Sequence, residues 1–128
     1  MKREMLRAKI HRITATETEV TYEGSLTLDA SVMQAAGMVP YERVEVYDVD
    51  NGNRFATYLI EGPRDSGDCC VNGAAARLVE VGDKLILATY ASVEEAEVRG
   101  HRPTVVLIDE RNRVRLVKDS EGAAVRVV

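Results

Sequence analysis

The sequence lacks any excess of positive charge, with 17 Lys and Arg against 21 Asp and Glu and a formal net charge of −4. Nucleic-acid partners need a basic face, so this balance argues against nucleic-acid binding. The sequence also lacks an apolar run long enough to span a membrane. Met1–Glu4 leads into a mixed, charged segment rather than the apolar core of a secretory signal. We therefore expect no nucleic-acid partner, no membrane partner and a cytoplasmic location.

Cysteine is scarce, and the two cysteines, Cys69 and Cys70, are adjacent. Neighbours in a strand point to opposite faces, so a disulfide between them would be strained. They also lack the spacing of metal ligands. We predict free thiols and no metal site. At 128 residues the chain fits a single domain.

Alternating apolar and polar residues predict strands along much of the chain. Leu6, Ala8 and Ile10 alternate with polar residues, so Lys9 and His11 share one strand face. We interpret 16–19 as a turn and 20–25 as a second strand that continues beyond Ser25. Further strands are predicted at 44–49, 54–60, 69–71, 84–90, 103–108 and 113–117. In a regular strand, Arg54 and Tyr58 share a face and Thr57 points away from it.

Turns and short helices separate these strands. Asp29 is a good N-cap for a helix at 31–36 that Gly37 ends. The Asn51-Gly52 pair predicts a tight hairpin turn at 50–53. A helical turn is predicted at 74–78, and the capping-box spacing at 92–95 predicts a helix that ends by residue 100. Many short strands, with two or three brief helices, indicate a small β-barrel.

Gly24-Ser25 is the candidate reactive bond. Gly24 has no Cβ, so its carbonyl group can be approached closely. The Ser25 hydroxyl can attack that carbonyl through a five-membered ring, which moves the acyl group from nitrogen to oxygen. Elimination and hydrolysis then yield a pyruvoyl group, whose ketone can form a Schiff base and withdraw electrons. A Gly-Ser pair alone is usually only a turn.

Three other blocks accompany the Tyr22–Ser25 block. They are Met5–Arg12, Asn51–Tyr58 and Val71–Ala76. In order and spacing, the four blocks closely resemble the pyruvoyl-dependent aspartate 1-decarboxylase family. The resemblance extends from Met1 to about Pro103. Arg77 departs from it, because the resemblance leads us to expect histidine there in many relatives, and we assign this position no role.

The resemblance implies a mainly β fold, a small six-stranded double-psi β-barrel with short helices. It also implies self-cleavage of the single 1–128 domain between Gly24 and Ser25, into a β chain of residues 1–24 and an α chain of residues 25–128. The implied activity is decarboxylation of L-aspartate to β-alanine and carbon dioxide for pantothenate and coenzyme A synthesis. The cofactor is the covalent pyruvoyl group, with no metal. The implied assembly is a homotetramer with active sites between neighbouring subunits.

The resemblance also gives roles to individual residues. Arg54 can bind a carboxylate bidentately, Lys9 adds a second cation, and Tyr58 is a weak acid that can protonate a carbanion. Ser25 becomes the pyruvoyl group. The further substrate contacts are Thr57, Gly73, Ala74 and Ala75, and the supporting residues are His11, Tyr22 and Asn72.

Two alternatives stay open. The first is a non-catalytic β-barrel that binds a partner, although it gives no reason for Lys9, Arg54 and Tyr58 to accompany Gly24-Ser25. The second keeps the chemistry but changes the substrate to glutamate or another amino acid.

Overall fold

The computed structural model describes residues 1–121, and these residues form nine strands joined by short helices and turns. The strands are β1 (Lys2–Thr14), β2 (Glu17–Glu19), β3 (Ser25–Asp29), β4 (Arg43–Asp48), β5 (Arg54–Gly62), β6 (Cys69–Asn72), β7 (Lys84–Glu94), β8 (Thr104–Ile108) and β9 (Val114–Lys118). The helices are α1 (Ala30–Ala36) and two 3₁₀ helices, Gly73–Leu78 and Glu95–Gly100. The mainly β prediction is confirmed. No helix in this part of the chain is long and apolar enough to cross a membrane.

The strands follow one another in the order β2-β6-β3-β5-β4-β7-β1-β8-β9. Most neighbours are antiparallel, but β1–β8, β2–β6 and β3–β5 are parallel and join strands that are distant in sequence. Six consecutive strands, β6-β3-β5-β4-β7-β1, occupy the middle of this order. Short β2 flanks them on one side and the β8–β9 hairpin on the other. The described chain thus adds three strands to the six that the resemblance implied.

One hydrophobic core unites these strands. Ala8, Ile10, Val44, Val46 and Leu87 are at most 1% exposed and alternate with residues that point outward. Strand side chains alternate between faces, so each long strand contributes one side to the core and keeps the other available. The predicted period-two pattern is confirmed for β1, β4 and β7.

The predicted helix caps are confirmed. The Asp29 carboxylate accepts the Ser31 N–H at 2.8 Å, and Gly37 ends α1 with a φ of 70°. The predicted hairpin at Asp50–Asn53 joins the antiparallel strands β4 and β5. Cys69 and Cys70 are buried and free, as predicted.

Three local predictions are wrong. Residues 17–19 form β2 instead of a turn, because they pair in parallel with β6. Residues 20–24 form turns and bends instead of a strand, and β3 begins only at Ser25. The capping box at 92–95 is absent, because β7 continues through Glu94 along β1 and the Ser92 hydroxyl donates to Glu4. Of the predicted loose tail at 119–128, residues 122–128 lie outside the described residues.

Candidate active site

Ser25 is the first residue of β3, and its relative exposure is 0%. The register of β3 and β6 places it opposite Asn72. The Asn72 Nδ2 donates to Ser25 Oγ at 3.0 Å and to Thr27 Oγ1 at 3.1 Å. The Ser25 hydroxyl in turn lies 3.5 Å from the Glu23 carbonyl oxygen, its acceptor. The hydroxyl is therefore held close to the main chain that precedes it.

Gly73 packs directly against the main chain of Gly24. It has a φ of 75°, a left-handed conformation that favours glycine. A Cβ at this position would lie 2.6 Å from Gly24 Cα and 2.8 Å from Gly24 N. Gly24 is exposed on its other side, where an added Cβ would meet nothing within 4 Å. The glycine at position 73 is thus required by space as well as by conformation.

A thiol orients the Asn72 amide. The Cys70 Sγ lies 3.0 Å from Asn72 Oδ1 and 3.5 Å from Glu17 Oε2. Burial, followed by the contact with Glu17, raises the pKa of Cys70 to about 11, so the thiol keeps its proton and can donate it. With Oδ1 turned to Cys70, the Asn72 Nδ2 faces Ser25. Sequence reasoning missed this role, although strand alternation places Cys70 and Asn72 on the same side of β6.

We call Gly24, Ser25, Asn72 and Gly73 the serine centre. Beside it lies a cavity of about 340 Å³ whose lining includes Tyr22 and Asn72. Three carboxylates, Glu17, Glu19 and Asp68, also line this cavity. Like charges repel, so the cavity is unsuited to an anionic substrate. Tyr22 is 59% exposed and stands at its edge.

The cationic residues predicted from the sequence lie elsewhere, on the outside of the sheet. Lys9 and His11 of β1 pair with Ala88 and Ile86 of β7. Ala88 and Ile86 pair in turn with Glu45 and Tyr47 of β4. Glu45, Tyr47 and Arg43 of β4 pair with Ala56, Arg54 and Tyr58 of β5. Paired residues on adjacent strands point to the same face. The alternate residues fill the core. Lys9, His11, Arg54 and Tyr58 therefore share one outward surface, which we call the outer face.

Aromatic rings support two residues of the outer face. The Arg54 guanidinium carbon lies 4.7 Å from the centroid of the Tyr47 ring, a cation–π contact. The Tyr47 and Tyr90 hydroxyls are 2.9 Å apart. Burial and the bond to Tyr90 raise the pKa of Tyr47 to about 12, so this phenol stays neutral. The Tyr58 ring centroid is 6.4 Å from that of Tyr41.

Lys9 already binds a carboxylate in the structure. Its Nζ lies 2.5 Å from Glu121 Oε2, near the end of the described chain. Burial, and then the charges of Lys9 and Arg12, lower the pKa of His11, so the imidazole is neutral at pH 7. The buried His11 Nδ1 has no hydrogen-bond partner among residues 1–121.

Lys9 of the outer face and the serine centre are on strands that do not pair, whereas β5, which carries Arg54 and Tyr58, pairs directly with β3. In the sheet order, β1 is four strands from β3, or about 19 Å along the sheet at the usual strand spacing. Thr57 pairs with Val44, so it is on the opposite face from Arg54 and Tyr58. Ala74 and Ala75 follow Gly73 in the 3₁₀ helix and present only methyl groups. The described chain thus brings together Gly24, Ser25, Asn72 and Gly73, but it does not bring Lys9 to them.

These features define a small, mainly β protein with a buried serine beside a Gly–Gly contact and a cationic outer face. Comparison with known proteins identifies the family. The family model for aspartate decarboxylase matches residues 1–115. The aspartate 1-decarboxylase of Syntrophobacter fumaroxidans is 55% identical over 113 residues, which cover 88% of this chain and 91% of that protein. The aspartate 1-decarboxylase of Ralstonia nicotianae is 50% identical over 118 residues, which cover 92% of this chain and 98% of that protein. The chain belongs to the aspartate decarboxylase family.

The predicted resemblance is thereby confirmed, and the parallel and antiparallel strand order agrees with the double-psi β-barrel that it implied. Among solved structures, the rationally designed protein mkDPBB_sym_86 aligns with a TM-score of 0.44 at 17% identity, covering 66% of this chain and 95% of that one.

Proposed function

We propose that this chain cuts itself between Gly24 and Ser25 and then decarboxylates L-aspartate to β-alanine and carbon dioxide. The β-alanine supplies pantothenate and coenzyme A synthesis, and we place the reaction in the cytoplasm. One observation carries the proposal: in a member of the aspartate decarboxylase family, Asn72 holds a buried Ser25 hydroxyl beside the Gly24–Gly73 contact.

The processing step uses atoms of the chain itself. Ser25 Oγ attacks the Gly24 carbonyl carbon, and its proton passes to the Ser25 nitrogen as the C–N bond breaks. An ester and a free amine result. Loss of the Ser25 α-proton then expels the Gly24 carboxylate and leaves dehydroalanine at residue 25. Addition of water and release of ammonia convert this residue to a pyruvoyl group.

The residues around position 25 fit a pyruvoyl group. Gly73 has no side chain that would crowd the main chain here, and the Asn72 Nδ2 can donate to a ketone oxygen as it does to Ser25 Oγ. A pyruvoyl group held here would supply a ketone that can react with the substrate amine and withdraw electrons during decarboxylation. Burial of residue 25 keeps bulk water away from this carbon.

The outer face supplies the groups that bind substrate and return a proton. The Arg54 fork holds one carboxylate of aspartate, and its stacking on Tyr47 limits its rotation. Lys9 attracts the other carboxylate, as it now attracts that of Glu121. Tyr58 donates a proton to the substrate carbanion that remains when carbon dioxide leaves. We retain Thr57, Gly73, Ala74 and Ala75 as substrate contacts and His11, Tyr22 and Asn72 as supporting residues.

A second copy of the chain completes this site. Lys9 is on β1, which pairs with neither β3 nor β6, the strands that carry Ser25 and Asn72. We propose that the outer face of one subunit meets the serine centre of its neighbour, in a homotetramer with active sites between neighbouring subunits. Tyr22 and Tyr41, 59% and 79% exposed, offer aromatic surface of the kind that subunit interfaces use.

Intact mass spectrometry and a β-alanine assay test the proposal together. The purified chain should give a Met1–Gly24 peptide and a fragment blocked by a pyruvoyl group at residue 25, and it should release β-alanine from L-aspartate. Ser25→Ala should abolish both results, while exposed Ser92→Ala should change neither. A protein that stays intact after prolonged warming, or a Ser25→Ala protein with normal activity, contradicts the mechanism. Faster turnover of glutamate would change the substrate but keep the chemistry.

A further inference from the structure

Three aspartates meet where two turns of the chain come together. Asp48 ends β4, Asp50 lies in the β4–β5 turn, and Asp83 lies in the turn before β7. One carboxylate oxygen of each lies within 4.8 Å of those of the other two. Sequence analysis placed Asp48 in a predicted strand and Asp50 in a turn, and it gave none of the three aspartates a functional role.

Asp48 is the member that makes this cluster unusual. It is 2% exposed, and its Oδ1 accepts the backbone N–H groups of Asp50 at 2.9 Å and Asn51 at 3.3 Å. Its Oδ2 is buried, and no residue in the described part of the chain donates to it. A buried carboxylate oxygen without a donor or counter-ion is strongly unfavourable. The oxygen therefore needs a positive species from outside the chain.

The other two carboxylates are held in place by backbone donors. Asp50 Oδ2 accepts the Lys84 N–H at 2.7 Å, and Asp83 Oδ2 accepts the Glu80 N–H at 3.0 Å. The Lys84 ammonium is directed to Thr14 Oγ1 at 2.6 Å. None of the ion pairs among residues 1–121 includes the three aspartates. Each of Asp50 and Asp83 thus keeps a second oxygen available while its side chain is fixed.

We propose that Asp48, Asp50 and Asp83 form a structural Ca²⁺ site. Carboxylate oxygens are hard ligands, which excludes the metals that prefer sulfur or imidazole. Ca²⁺ accepts several carboxylates in irregular geometry at 2.3–2.6 Å, whereas Mg²⁺ demands a near-ideal octahedron and usually keeps several waters. Two Ca²⁺–oxygen bonds of about 2.4 Å span about 4.8 Å when they are opposite, so the oxygens are close enough to share one ion.

The ion would link two turns next to the outer face. The first turn leads directly into Arg54, and the Asn51 and Asn53 side chains both donate to the Leu78 carbonyl oxygen, at 3.0 and 2.9 Å. The second turn precedes β7. Ca²⁺ would hold these segments together and stabilise the folded state, without taking part in the decarboxylation reaction.

The competing occupant is a single proton shared by Asp48 and Asp83. Burial, and then the neighbouring Asp83, raise the pKa of Asp48 to about 6, so this proton is held chiefly at acidic pH. The two occupants are distinguished at pH 7.5 by replacing Asp48 with asparagine. Asp48→Asn removes a charge that Ca²⁺ needs, but its amide N–H groups can donate to Asp83 in place of the shared proton.

The experiment is calorimetric titration of the full-length, chelator-treated protein with CaCl₂ at pH 7.5, together with thermal unfolding with and without Ca²⁺. We expect saturable binding of one Ca²⁺ per chain, little competition from equimolar Mg²⁺, and a higher Tm. Asp48→Asn should weaken binding at least tenfold, and exposed Asp119→Asn should not. If Asp48→Asn fails to fold, Asp83→Asn provides the same comparison.

Absence of Ca²⁺ binding to the parent protein overturns the proposal, as does equal binding by parent and Asp48→Asn proteins. A parent protein that binds no Ca²⁺, with an Asp48→Asn variant of higher Tm at pH 7.5, assigns the site to the shared proton. These measurements use no substrate, so they are independent of the proposed reaction.

Discussion

Replacing Gly73 with alanine should slow self-cleavage much more than it destabilises the fold. Position 73 has a φ of 75°, where a non-glycine residue costs about 1–2 kcal/mol. The new Cβ would also lie 2.6 Å from Gly24 Cα. The Gly24 main chain, adjacent to the attacked bond, must therefore shift by about 0.8 Å to restore an ordinary contact of 3.4 Å.

Such a shift is large for a reaction that depends on alignment. A misplacement of about 1 Å can cost on the order of 100-fold in rate. We therefore expect Gly73→Ala to cut its chain about 100-fold more slowly than the parent protein. Its free energy of unfolding should fall by only about 1–2 kcal/mol if the Gly24 segment absorbs the clash.

Gly52→Ala is the matched control. Gly52 has a φ of 78°, so alanine incurs the same conformational cost, but an added Cβ there meets nothing within 4 Å. A time course of intact mass gives the cleavage rate of each variant, and urea denaturation of uncut protein gives its stability. If Gly73→Ala and Gly52→Ala cleave equally fast, the Gly73–Gly24 contact does not position the bond, and our reasoning about the serine centre is wrong.

The other predictions concern the outer face. Tyr58→Phe should leave cleavage intact but lower kcat for aspartate about 10²–10⁴-fold, because the proposed proton donor is lost. Arg54→Lys should mainly raise KM, because a point charge replaces the bidentate guanidinium. Glu121→Gln should lower KM about two- to five-fold with kcat unchanged, because the Glu121 carboxylate no longer competes with substrate for Lys9. The effect is modest because this ion pair is partly exposed.

Two of these variants have a matched control. Tyr41→Phe removes a hydroxyl from the ring beside Tyr58 and should retain kcat. Glu110→Gln removes an exposed charge and should retain KM. A fully cleaved Tyr58→Phe enzyme with the parent kcat would show that Tyr58 is a packing residue and not the proton donor. An unchanged KM in Glu121→Gln would show that the Lys9–Glu121 pair does not limit substrate binding.

Local signals in the sequence predicted the elements whose geometry is set by near neighbours. Asp29 and Gly37 bound α1 because one supplies a carboxylate to an N–H two residues later and the other adopts positive φ at low cost. Strand alternation likewise placed Arg54 and Tyr58 on one face and Thr57 on the other. These effects act over a few residues, so the sequence expresses them directly.

What depends on strand order could not be predicted from local patterns. Residues 17–19 form a strand only because β6, more than 50 residues later, lies beside them. The Cys70 contact with Asn72 and the meeting of Asp48 with Asp83 likewise arise from packing. The family resemblance predicted Lys9 and Ser25 as site residues, but their placement on strands that do not pair emerges only from the order of the sheet.

The position of β1 has a consequence for the molecularity of folding. β1 pairs with β7 on one side and with β8 on the other, so it is an internal strand of the sheet. A cut after Gly24 would place this strand on a separate 24-residue peptide, which could leave only by breaking both ladders. Unfolding of the cut subunit would then release two chains, and its midpoint would depend on protein concentration. Refolding would require the peptide and the larger fragment to meet again, whereas the uncut precursor folds as one chain.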